Sequence, residues 1–176
     1  MERDPLKMER DTLKTAVAAV AALYFLWCAA EPRQWHLIDG VNLVIHEAGH
    51  VVFMPFGELL MVAGGSLFQV IVPAVFVAYF YRRGQAYSAA LVLFWVGESL
   101  LNVSVYAGDA LALQLPLLGG EDATHDWNHL LNATGRLSST YKIAAAIRLA
   151  GTLAICAAAF FSLKYARRAA RATGEV

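Results

Sequence analysis

The chain has 176 residues, of which 59% are hydrophobic and only 16% are charged. Soluble domains carry about 25% charged residues, so this composition excludes an ordinary soluble domain and predicts a membrane protein. The 14 basic and 14 acidic residues cancel at pH 7, which removes the electrostatic basis for binding nucleic acid. At about 20 residues for each crossing of a bilayer, the length allows roughly four to six membrane helices in one domain.

The apolar segments, taken in chain order, predict about five membrane helices. Residues 1–14 form a polar N-terminal tail, residues 15–164 a single membrane-embedded domain, and residues 165–176 a basic C-terminal tail. The predicted membrane segments are residues 15–30, 37–54, 66–81, 86–106 and 141–163. We therefore expect an all-α polytopic protein that is integral to the membrane, multi-pass, and located in a bacterial inner (plasma) membrane.

A glycine-punctuated stretch, residues 55–65, separates the second and third predicted segments. It is too apolar for a surface loop and too rich in glycine for a regular helix. Non-helical backbone at membrane depth is tolerated only where protein or a water-filled cavity covers it. The stretch therefore predicts a re-entrant loop beside a functional site.

The distribution of basic residues leaves the membrane orientation open. Arg82 and Arg83 lie on the same side as the basic C-terminal tail if two helices separate them, which agrees with a cytoplasmic location for both. Five full crossings would then put the N-terminal tail, with Arg3 and Lys7, outside. The conflict disappears if the second segment does not cross the membrane completely.

The most specific motif is HExxH, formed by His46, Glu47 and His50 inside the second apolar segment. Residues i and i+4 share a helix face, so both imidazoles can bind one ion. The intervening glutamate can accept a proton from water activated by that ion. Ionisable side chains at membrane depth are costly and usually functional, which favours a metal site over a purely structural cluster. Two imidazoles and one carboxylate suit Zn²⁺.

A carboxylate on the fourth predicted helix is expected to complete the site. Polar side chains recur there at helical intervals and share one face: Glu98, Asn102, Tyr106 and Asp109. Asp109 is the preferred ligand because it follows Gly108, where the helix can loosen and turn the carboxylate inward. Glu98 is the alternative, since an isolated carboxylate deep in a membrane helix otherwise lacks an explanation.

The long polar connection between the last two predicted helices holds a second histidine pair, His125 and His129. Such a pair in a watery connection usually belongs to a solvated helix face. Asp122, His125 or Asp126 could nevertheless fold back to bind the metal or to hydrogen-bond one of its ligands, and Tyr106 could also support the ligands.

The motif and the later Asn102 and Asp109 together resemble the site-2 protease family of intramembrane zinc metalloproteases. The resemblance covers about residues 40–110. It implies that His46, His50 and Asp109 are zinc ligands, that Glu47 is the general base, and that Asn102 orients the substrate. It also implies that the region of Gly64 and Gly65 lines a substrate cleft. The interval from Asn102 to Asp109 is 7 residues, one shorter than in that family, and Ala110 replaces the family's glycine.

These observations predict a zinc metalloendopeptidase, surrounded by the lipid bilayer, that cleaves membrane-anchored or transmembrane proteins. The alternative is a catalytically inactive accessory subunit of the same fold, packed against partner subunits in a larger membrane complex. A third interpretation is a metal-dependent membrane enzyme or transporter with a non-peptide substrate. The HExxH glutamate favours hydrolysis over transport, because carrying a metal requires ligands but no general base.

Overall fold

The computed structural model describes residues 5–118 and 124–171 of the chain. The described residues are helical or lie in turns and connections, so the predicted all-α fold is confirmed. The α-helices are α1 (Pro5–Ala30), α2 (Asp39–Phe53), α3 (Glu58–Arg82), α4 (Ala86–Gly108), α5 (Asp126–Ala133) and α6 (Thr140–Arg171). Short 3₁₀ helices, Met54–Phe56 and Leu137–Ser139, precede α3 and α6.

Four helical segments are long and apolar enough to cross a membrane: Asp11–Ala30, Glu58–Arg82, Ala86–Gly108 and Leu137–Ala166. The second predicted segment, residues 37–54, corresponds to α2, which has only 15 residues. At 1.5 Å per residue this helix is about 22 Å long, well short of a bilayer core of about 30 Å. The structure therefore has one fewer candidate crossing than the sequence predicted.

The glycine-rich stretch is helical, which corrects the expected re-entrant loop. The chain turns at Gly57, where φ is 96°, and α3 begins at the next residue. Gly64 and Gly65 are therefore interior residues of α3. They lie where α3 packs closely against α2, and a Cβ at Gly64 would meet Phe53 and the carbonyl of Gly49. Glycine is used here for close approach of two helices rather than for a loop.

The described residues of both predicted tails are helical and continue α1 and α6. Helix α1 already begins at Pro5, and α6 continues to Arg171, beyond the predicted boundary at residue 164. Residues 1–4, 119–123 and 172–176 lie outside the described residues. The predicted polar connection after α4 contains the short helix α5.

Helix α4 is central to the packing. It runs antiparallel to α6, with Gly97 beside Gly151 and Ile155, and parallel to α1, whose Phe25 stacks on Phe94 at 5.1 Å. Helix α3 packs between α2 and α4. This order brings the start of α3, the end of α4 and the short helix α5 together at one end of the bundle.

Candidate metal centre

Two histidines and one aspartate converge at that end of the bundle. His46 and His50 lie one turn apart on α2, and Asp126 is the first residue of α5. The Asp126 Oδ2 atom is 2.9 Å from His46 Nε2 and 3.2 Å from His50 Nε2. One ligand atom from each residue lies within 4.8 Å of the others, so this group could hold a metal ion.

The opposite nitrogens of both imidazoles face carbonyl oxygens. His46 Nδ1 lies 3.2 Å from the side-chain oxygen of Gln69, and His50 Nδ1 lies 2.9 Å from the main-chain oxygen of Met61. A carbonyl oxygen can only accept, so each Nδ1 carries the proton and donates. In the neutral imidazole each Nε2 then presents its lone pair towards the carboxylate of Asp126. A carboxylate that faces two such lone pairs is stabilised by a cation between them, and metal-binding histidines are held in this way.

Asp126 is held in place from both α3 and α4. The main-chain N–H of Asp126 donates to the Tyr106 hydroxyl at 3.0 Å. The indole of Trp127 donates to Ser66 on α3 at 3.1 Å, and the Asn128 amide donates to the carbonyl of Ala110 at 2.8 Å. His125 caps α5 by accepting from the main-chain N–H of Asn128. These contacts hold the first turn of α5 against His46 and His50.

Gly65 provides the space that the two imidazoles occupy. A Cβ at this position would lie 2.5 Å from His46 Nε2 and 2.6 Å from His50 Nε2, closer than real Cβ atoms approach. Gly64 and Gly65, which the sequence predicted to line a substrate cleft, lie inside α3 and pack closely against α2.

Asn102 lies in a polar chain behind His46 rather than at the metal group itself. Its side-chain oxygen accepts from Gln69 at 2.8 Å, and its NH₂ group donates to Asp39 at 2.9 Å. Both ends of the amide are therefore occupied by protein. In this structure Asn102 orients Gln69, and Gln69 orients His46.

The carboxylates that the sequence favoured as third ligands lie elsewhere. Asp109 accepts hydrogen bonds from the main-chain N–H groups of Gln114 and Leu115, and lies 3.3 Å from His125 Nε2. Glu98 is buried and accepts from the amide of Asn42. Asp126, which the sequence suggested as a less favoured ligand or as a hydrogen-bond partner of one, takes the position expected for Asp109. Helix periodicity predicts the position of a carboxylate on α4, such as Glu98. It cannot predict the position of Asp126, which follows a long connection.

The remaining predicted site residues surround the group. Tyr106 packs on His46 and His125, with ring centroids 5.7 and 4.4 Å away. Glu47 is exposed and has no hydrogen bond or ion pair among the described residues. The carboxylates of Glu47, Asp109 and Asp126 all lie near enough to act electrostatically on the Tyr106 hydroxyl.

The sequence did not link two supporting groups, Gln69 and the carbonyl of Met61, to the histidines. Gln69 follows Gly65 by one helical turn on the same face of α3, a spacing that could have linked it to the histidines. The carbonyl of Met61 has no sequence signal, because every residue carries one. Of the other polar residues in the connection, His129 lies 3.6 Å from the exposed Glu58, and Asp122 is outside the described residues.

Comparisons with protein-family models, with curated proteins and with solved structures found no match to the chain. The fold and the site together define a class: an all-α protein with four helices able to span a membrane and a candidate metal centre at one end of them. The chemistry of that centre is the basis for the function proposed next.

Proposed function

We propose that this protein is a multi-pass, membrane-embedded zinc metallopeptidase acting on membrane proteins. The observation that carries the proposal is the convergence of His46 Nε2, His50 Nε2 and the Asp126 carboxylate, beside an unpaired Glu47. The HExxH sequence and the resemblance to site-2 proteases support the same reaction class.

The donor set favours zinc. Two imidazoles and one carboxylate form the usual ligand set of a hydrolytic zinc site, which keeps a fourth position open. Ligand atoms about 2.0–2.1 Å from a tetrahedral zinc lie about 3.3 Å apart. The two nitrogen-to-oxygen distances here, 2.9 and 3.2 Å, are close to that spacing, so small movements would admit the ion. When bound, zinc supplies Lewis-acid chemistry that activates water and polarises a carbonyl group.

Glu47 is assigned the role of general base. It follows His46 directly on α2, and its exposed carboxylate is free of protein partners among the described residues, so it can accept a proton from water and return it to the leaving amine. The Tyr106 hydroxyl accepts from Asp126, which leaves its own hydrogen available to a substrate oxygen. An unpaired base beside the ligands favours hydrolysis over metal transport.

Metal content tests the centre. The full-length protein, purified in detergent and loaded with zinc, is expected to bind about one equivalent. The variants His50→Ala and Asp126→Asn are expected to lose it, whereas His129→Ala, which removes a partly exposed histidine of the same helix α5, should retain it. Wild-type protein that binds no zinc would overturn the proposal and favour the accessory-subunit interpretation.

Activity tests the reaction class. Wild-type protein and Glu47→Gln are expected to bind equal zinc, because Glu47 is not among the ligands. Membrane proteins of the host would be cleaved by the wild type and not by Glu47→Gln, as measured by new N-termini in the membrane fraction. Identical cleavage patterns in the two would contradict the assignment of Glu47 and of peptide hydrolysis.

A further inference from the structure

The membrane side on which the centre opens follows from the directions of the helices. Helices α1 and α4 begin at the same end, because the Tyr87 hydroxyl donates to the carbonyl of Lys14 at 2.7 Å. Helix α3 ends at Arg82, four residues before α4 begins. Helix α6 runs antiparallel to α4, with Gly151 opposite Gly97, so it ends where α4 begins. The metal group lies at the opposite end of α4, beside Tyr106.

The basic residues are concentrated at the end away from the centre. Within the helices and turns of that end lie Lys14, Arg82, Arg83 and Lys164. The sequence segments joined to that end carry Arg3, Lys7, Arg10, Arg167, Arg168 and Arg171. The end that holds the metal group has four of the 14 basic residues: Arg33, Arg136, Lys142 and Arg148. By the positive-inside rule, the end with ten basic residues faces the cytoplasm.

Helix α2 does not change the assignment of the two ends to membrane sides, because it does not extend from one end of the bundle to the other. Its Asn42 accepts from Trp95, near the middle of α4, and its last residue lies beside Gly64, close to the start of α3. The outward face of α2 is exposed at Val44 (70%) and Val51 (66%), which suits contact with lipid, and Glu47 lies between them on that face. With four crossings, the two ends of the membrane domain lie on the same side, and the conflict over the basic N-terminal segment disappears.

The centre also lies close to the membrane surface. Gly65, which lies against both Nε2 atoms, is seven residues into α3, and His46 packs on Tyr106, two residues from the end of α4. At 1.5 Å per residue these positions are about 10 and 3 Å from the ends of their helices, so the centre lies within about 10 Å of that end of the bundle. Asp126 reaches the centre from α5, which is outside the membrane-crossing segments.

We propose that the His46, His50 and Asp126 centre opens to the non-cytoplasmic side, just below the membrane surface. Resting on the proposed function, this implies that its substrates are segments of membrane proteins at the non-cytoplasmic boundary of the bilayer. A peptide segment there is less shielded by helical hydrogen bonds than one at mid-membrane, and water for hydrolysis is at hand.

Cysteine labelling tests the orientation independently of any activity. In the full chain with Cys28→Ala and Cys156→Ala, single cysteines are introduced at Ser138, on the side of the centre, and at Gln85, in the turn before α4. A membrane-impermeant thiol reagent added to intact cells is expected to label Ser138→Cys and to spare Gln85→Cys until the membrane is opened. The reverse pattern would overturn the proposal.

Access to the centre is tested with Glu47→Cys in the same background. It is expected to react with the same reagent from outside the cell, whereas Ile71→Cys, at an exposed position near the middle of α3, is expected not to react. Labelling of Glu47→Cys only after permeabilisation would contradict the proposed opening. These results do not depend on zinc or on catalysis, so the proposed function can fail while the orientation holds.

The substrate inference has its own readout. New N-termini that depend on Glu47 should map to segments flanking the non-cytoplasmic ends of membrane helices. Cleavage sites confined to cytoplasmic segments would overturn the inferred substrate class even if peptidase activity is established.

Discussion

The side-chain oxygen of Gln69 accepts a hydrogen bond from His46 Nδ1 at 3.2 Å, which fixes the orientation of an imidazole on a different helix. Gln69 also donates a hydrogen bond to Asn102. The side chain of Gln69 is buried between the helices, and that of Asn102 is partly buried. Removing an acceptor that orients a metal-binding histidine typically lowers metal affinity about 10- to 100-fold.

Replacing Gln69 by methionine is therefore expected to weaken zinc binding by about that factor while preserving the helix packing. Affinity is measured by competition with a chromophoric chelator. Gln34→Met, at an exposed position in the connection before α2, is the matched control and should bind zinc like the wild type. Equal affinity in the two variants would show that His46 does not depend on Gln69 for its orientation.

The role of Gly65 can be separated from ordinary effects of glycine in a helix. Gly65→Ala would place a methyl group against both Nε2 atoms, so loss of zinc binding is expected. Gly40→Ala, in α2, meets nothing within 4 Å and should bind zinc normally. Alanine at an open helical site also raises the free energy of unfolding by up to about 1 kcal/mol. Zinc content and thermal unfolding are the measurements, and full occupancy in Gly65→Ala would refute the packing argument.

The carboxylate that acts as the third zinc ligand can be identified by comparing the zinc content of three variants. Asp109→Asn and Glu98→Gln are expected to retain about one zinc per chain, because their side chains bond to the main chain after α4 and to Asn42 respectively. Asp126→Asn is expected to lose it. Metal analysis of the purified variants decides the matter, and loss of zinc in Asp109→Asn alone would return the third-ligand role to the residue that the sequence favoured.

Two tyrosines on α4 allow a matched test of how Asp126 is held. Tyr106→Phe removes the acceptor of the Asp126 N–H, and Tyr87→Phe removes a hydrogen bond to Lys14 at the other end of the helix. Each loss is expected to cost about 1 kcal/mol of stability. Only Tyr106→Phe should also weaken zinc binding, measured by the same chelator competition. A similar zinc affinity in both variants would exclude Tyr106 as a positioning residue for Asp126.

The all-α class and two of the three residues of the centre could be predicted from the sequence. Composition identified the membrane-type helices, because burying apolar segments in lipid requires length and hydrophobicity that are visible locally. The i, i+4 spacing placed His46 and His50 on one face for the same local reason.

The carboxylate that meets the two histidines, and the packing of Gly64 and Gly65, depend on contacts between distant parts of the chain. Asp126 follows α4 by a connection whose path no helical period describes, and its position depends on Tyr106, Ser66 and Ala110 from other parts of the chain. The two glycines are read locally as helix breakers, but the close approach of α2 favours them inside α3. Local patterns fix what the backbone dictates within one helix, whereas contacts between distant segments depend on how the helices pack.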